Sequence, residues 1–138
     1  MGKNYELIEH TADVGIRVKA DDLKELFKNA ALAMFDIIAV RYQVRSDTKE
    51  IKIEQNAVSL DELFINWLNE LLSLSSAKEI IFSDFKISEI DDKHINVVAM
   101  ASSSKNYKVN VEIKAATYHQ LKIEKLKEGW QAEVIFDV

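Results

Sequence analysis

The chain has 138 residues, the length of one domain with a single sizeable core. Apolar residues make up 48% and charged residues 30%, which excludes a disordered or low-complexity chain. The net charge of −5 argues against RNA binding through phosphates, and the absence of cysteine excludes disulfides, thiolate metal sites and a thiol nucleophile.

Tyr5-Glu6-Leu7-Ile8-Glu9 is a short strand candidate. It runs into Glu9-His10-Thr11-Ala12-Asp13-Val14-Gly15-Ile16, which packs His, Thr and Asp beside one of only three glycines. Residues 16–20 alternate as a second strand. Gly15 at its entrance marks a bulge or a close backbone approach, a geometry able to aim Asp13 at a fixed target. By residue type alone, a polar turn in which Asp13 bonds its own backbone is the commoner outcome. Asp21 or Asp22 suits a helix N-cap. Leu23, Leu26, Phe27, Ala30, Ala31, Met34, Phe35 and Ile38 then recur at helical spacing, predicting a helix over 21–38 with Met34 and Phe35 in the core.

Residues 41–49 are polar and aperiodic, so a loop is expected. Residues 50–54 alternate as a half-buried strand. Ser59-Leu60-Asp61-Glu62 is a capping box, opening a helix over 59–75 with Leu63, Phe64, Trp67, Leu68, Leu71 and Leu72 on one face. The small polar residues from Ser73 onward end it. Strands are predicted at 80–82, 85–87 and 95–99, with a turn at Asp91-Asp92-Lys93. Residues 107–115 alternate throughout, and 120–126 and 130–136 are the last two strands, around a turn at Lys127-Glu128-Gly129. The class is α+β: two amphipathic helices covering an antiparallel or mixed sheet, with an antiparallel meander in the second half. A single domain over 1–138 is expected. No basic stretch followed by an apolar run opens the chain, so no signal peptide is expected. The longest apolar-rich stretch, residues 30–40, is too short to span a bilayer, so no membrane partner is expected.

A second polar cluster, Lys114-Ala115-Ala116-Thr117-Tyr118-His119, precedes the ending Val134-Ile135-Phe136-Asp137-Val138. The succession of HTADVGI, KAATYH and VIFDV, in that order and over nearly the whole chain, resembles the archease family. The resemblance implies an archease-like fold and a divalent metal, reported as calcium, held by the motif aspartate, the terminal aspartate and the last residue. These map onto Asp13, Asp137 and Val138. The residue types suit such a cation, since hard ions take oxygen ligands and converging carboxylates need a compensating charge. The resemblance also makes Lys114 a functional cation near that site, with Thr117, His119 and His10 as further ligase-activation candidates. By chemistry alone, two histidines without a third are weak evidence for zinc, and each is more readily a structural histidine.

One stretch departs from the family. Many archeases carry Gly-Glu-x-x-Asp and a histidine before the second motif, whereas this chain reads Ala101-Ser102-Ser103-Ser104-Lys105-Asn106-Tyr107, without the acidic residues.

The function implied is that of a cytoplasmic, non-catalytic accessory protein of an RtcB-type RNA ligase. That ligase joins RNA ends in tRNA splicing through a guanylylated histidine, and archease promotes the guanylylation and turnover. RNA would be met only through the ligase, and a homo-oligomer is compatible with this reading. The alternative is a chaperone or specificity modulator of an RNA-modifying enzyme such as a tRNA methyltransferase. A stand-alone metal-dependent hydrolase is the third reading, with Asp13 and His119 as an acid–base pair. It lacks a phosphate loop, a nucleophile elbow and a cysteine.

Overall fold

The computed structural model describes residues 5–9, 13–41 and 48–138. In chain order the elements are β1 (Tyr5–Glu9), β2 (Asp13–Ala20), α1 (Leu23–Ile38), β3 (Ala39–Arg41), β4 (Lys49–Asn56), α2 (Leu60–Lys78), β5 (Ile80–Ile90), β6 (His94–Ser103), β7 (Tyr107–Val109), β8 (Ala115–Leu126) and β9 (Gly129–Asp137). A 3-10 turn, Ser104–Asn106, separates β6 from β7. The fold is α+β with two helices and antiparallel sheets, as the periodicities predict.

The strands divide among three sheets instead of forming one meander. The orders are β1-β2-β9-β8, β4-β6-β5 and the small pair β3-β7. Each helix packs against strands of both larger sheets, α1 on β2 and β5, α2 on β8, β4 and β5. This explains why Ala30, Ala31 and Ala33 of α1 are buried together with Leu26, Phe27 and Met34. A helix covered from two sides needs more than one apolar stripe, and alanines let the backbones approach. Met34 and Phe35 are core, and Trp67 is fully buried with its Nε1–H donating to the Phe27 carbonyl at 3.1 Å.

The caps follow the sequence. The Asp22 carboxylate accepts from the Glu25 amide at 2.9 Å, and the Ser59 hydroxyl accepts from the Glu62 amide at 3.2 Å. Helix α2 runs past residue 75 to Lys78, because serines tolerate a helix that a left-handed Glu79 (φ 54°) then stops. The Glu79 amide donates to the Ser75 carbonyl.

Strand β5 is one long element where two short ones are predicted. Its ladder to β6 shifts register between Phe82 and Asp84 and between Ile87 and Glu89, which breaks the alternation without breaking the strand. Helix α1 ends at Ile38 as expected, but residues 39–41 form strand β3, so Arg41 is strand and not loop, and Lys49 already belongs to β4. The remainder of the expected loop, 42–47, lies outside the described residues. The alternating run 107–115 forms a ladder at Tyr107–Val109, leaves 110–114 unpaired because β3 offers three residues and then ends, and resumes at Ala115 as β8. Among the described residues, no helix is long and apolar enough to cross a membrane.

Candidate functional site

Strand pairing brings the two ends of the described chain together. Asp13 opens β2 and stands directly opposite Asp137 of β9, which in turn stands opposite Ala115 of β8. Asp13 is therefore the first residue of a strand, and it shares a face with a second aspartate across a central pair of the sheet. Opposed residues share a face and hold their Cβ atoms about 4.5–5.5 Å apart, so two ionised aspartates here repel. The Lys114 amide donates to the Asp137 carbonyl at 2.8 Å, which carries the lysine to the same corner. The Lys114 side chain is exposed.

The next two rungs make that corner rigid. Val14, Phe136 and Ala116 form the first, with Phe136 fully buried. Ala116 is gripped by Asn69 of α2: its amide donates to Asn69 Oδ1 at 2.7 Å, and Asn69 Nδ2 donates to its carbonyl at 3.1 Å. Ile8, Gly15, Ile135 and Thr117 form the second. A Cβ on Gly15 would lie 3.1 Å from the Ile8 Cβ, so the glycine allows the close approach expected of it. The Thr117 hydroxyl donates to the Ile135 carbonyl at 2.9 Å.

Two rungs further, Arg17 bonds Glu133 at 3.2 Å and Glu6 at 3.1 Å. Its guanidinium is raised above the ordinary value, first by the hydrogen bond to Glu133 and then by the charges of Glu133 and Glu6. That cation is committed to other carboxylates. Neither Asp13 nor Asp137 is ion-paired with a described residue. Among the described residues, no three His, Cys, Asp or Glu side chains converge as a metal cluster. The row supplies two carboxylates, and the partly exposed Val138 follows directly. Oxygen-only donors of this kind fit a hard divalent cation and not a thiophilic one.

The remaining candidates separate. His10 lies outside the described residues. His119 is exposed on a wide bulge, where residues 118–121 stand opposite Val134 alone and Gln120 is left-handed at φ 54°. Tyr118 shares the bulge and is 56% exposed. Burial first, then the charges of Glu62 and Asp61, raise its phenol above the usual value. Asn69 was not singled out by its sequence. The signal present was an amide next to Leu68 and two residues before Leu71, beside the apolar face of the helix, where a polar side chain needs a partner.

A cleft of about 840 Å³ opens beside this corner, between the C-terminal half of α2 and residues 109–115. Lys114, Ala115 and Asn69 contribute to its wall.

Over residues 5–138 the sequence matches the family model of the archease protein family. It is 39% identical to the protein archease of Methanosarcina acetivorans, over 99% of this chain and 97% of that one. The protein archease of Pyrococcus abyssi is 36% identical over 99% of both chains. The solution structure of protein 1598 from Methanobacterium thermoautotrophicum has a TM-score of 0.72 at 30% identity, covering 99% of this chain and all of that one (100%). The crystal structure of an archease from Thermotoga maritima has a TM-score of 0.67 at 24% identity over 96% of each chain, a likeness of fold.

Proposed function

This chain belongs to the archease family, and from that premise we propose that it activates an RtcB-type RNA ligase by promoting guanylylation and multiple turnover, using a divalent metal at Asp13, Asp137 and the carboxylate of Val138. The observation that carries the reading is the direct opposition of Asp13 and Asp137, with the Lys114 amide on the Asp137 carbonyl. Two carboxylates facing each other on a rigid sheet, without a cation from the described chain, are arranged for one supplied from solution. Calcium is the ion proposed, since it accepts several oxygen ligands in flexible geometry.

When bound, such an ion supplies positive charge that can neutralise and orient phosphate oxygens. The chain's own residues hold the site in place. Asn69 and Thr117 tie the first rungs of β8, so that the carboxylate row keeps its spacing. Lys114 presents an exposed ammonium from the same corner, suited to a phosphate or carboxylate of the partner. Electrostatic positioning of this kind is the usual form of assistance to nucleotidyl transfer. The nucleophile stays with the ligase, and this protein acts in trans as a non-catalytic cofactor.

The test is a multiple-turnover ligation assay beside melting curves with and without calcium. Calcium should raise the wild-type melting temperature, by about 2.7 kcal/mol of stabilisation at a hundredfold excess over Kd. Asp13→Asn and Asp137→Asn should lose most of that shift and should not support turnover. Lys114→Ala should lose activation and keep the calcium shift. Full activation by either aspartate variant would overturn the reading.

A further inference from the structure

Strand β8 is an outer strand of its sheet, so one of its edges has no neighbouring strand. At Ala116 the main chain is satisfied by a side chain instead. Asn69 both accepts from the Ala116 amide and donates to its carbonyl, the paired pattern that a neighbouring strand makes. Before Ala116 that cover stops. Residues 110–114 join β7 to β8 without a turn or bend, yet belong to no ladder. They are fixed at both ends. The Asn110 and Val111 amides donate to the Ile38 carbonyl at 2.7 and 3.2 Å, and the Lys114 amide to Asp137. Among the hydrogen bonds of the described residues, none uses the main chain of Glu112 or Ile113.

The 840 Å³ cleft runs along this same stretch. Every residue from 111 to 115 lines it, so it follows the main chain and not a single side-chain face. Ser73, Ser76 and Ala77 form part of the opposite wall, and their small side chains leave width for another backbone. The sequence itself alternates here, Val109, Val111 and Ile113 against Asn110, Glu112 and Lys114, which is strand patterning without a strand partner.

We propose that the run 110–114 leaves an open strand edge at Glu112 and Ile113, and that an extended segment of the ligase enters the cleft and pairs with it. Strand addition draws affinity from main-chain hydrogen bonds and selectivity from pockets that take alternate side chains. Leu72 and Val111 offer apolar contact to one set of side chains. Glu79 and Glu112 line the cleft against a single cation, Lys114, so the segment that fits carries basic residues. A second copy of this chain would bring net negative charge to a negative cleft, and is disfavoured for that reason. Pairing here places the partner beside Lys114 and Asp137. The inference rests on the ligase-activator reading and adds where the ligase holds on.

The experiment is hydrogen–deuterium exchange of the full chain with and without a purified RtcB-type ligase, together with binding measurements. Glu112 and Ile113 point their amides to opposite edges, so the one on the cleft edge should exchange fast in the free protein and slow by at least about tenfold in the complex. Ser73→Trp and Ser76→Trp fill the cleft from exposed helix positions. Each should weaken ligase binding about tenfold or more with little change in melting temperature. Glu112→Pro, which removes one open amide, should weaken binding where Glu112→Ala does not remove the main-chain bond. Tight binding with unprotected amides, or wild-type affinity in both tryptophan variants, would overturn the inference and leave the activator reading standing. Protection that depends on protein concentration without ligase would identify a second copy as the occupant and also overturn it. Absence of any ligase binding would remove both readings.

Discussion

Tyr118 shows how one side chain reports its surroundings. The bulge in β8 lifts it clear of the ladder, and the first turn of α2 sets Glu62 and Asp61 near enough to act on it. Its phenol is raised above 10.0, mainly by burial and secondly by those two carboxylates. The neutral form is therefore favoured in the folded protein. Its contribution to stability is fully present below pH 10.0 and is lost as the pH rises through the higher folded value. An alkaline titration followed by ultraviolet difference absorbance should show a late-ionising component that Tyr118→Phe removes. Glu62→Gln should lower that component only partly, since burial is the larger cause; a complete return to the ordinary range would mean that charge dominates. The aspartate row differs in kind. HTADVGI marks Asp13 as unusual, but the opposition of Asp13 and Asp137 depends on a register between residues more than a hundred positions apart. No local pattern carries that information, and only the family resemblance joined the two.

At the scale of elements, legibility tracked how local the determinants are. Both helices, both N-caps and the turn before Gly129 depend on neighbours within four residues, and the alternation and capping patterns found them. The limits of β5, the helical extension of α2 and the unpaired run 110–114 depend on partner strands, which the sequence does not name locally. Gly129 adopts φ 98° with the Ala20 carbonyl directly behind it, a place closed to any side chain. Asn69 belongs to this scale because it fastens one element to another. Asn69→Leu should leave the Ala116 amide and carbonyl without partners and cost about 2–4 kcal/mol in urea unfolding. Asn69→Asp keeps the acceptor, loses the donor, and should cost less. A loss under about 1 kcal/mol in the leucine variant would mean that water replaces the clamp.

Three of the six strand pairings among the described residues join segments distant in sequence, β2 with β9, β3 with β7 and β4 with β6. Strand β9 sits inside its sheet, between β2 from the start of the chain and β8 next to it in sequence. Folds rich in such non-local pairings close long loops before any contact repays the lost entropy. Refolding from urea should accordingly take milliseconds to seconds, and a microsecond phase with full amplitude would contradict the topology. A ribosome reads this sequence from β1 onward, and so β2 is made long before β9, its second neighbour. Until residues 129–137 emerge, Ile16 and Val18 have β1 on one side of their strand and no neighbour on the other, and Asp13 lacks Asp137. The segment that closes the core is also the one that brings Asp137. A polypeptide released early by damaged message would then lack both a finished core and a finished acidic row, so an incomplete product loses that row and lies open to proteolysis in the same stroke.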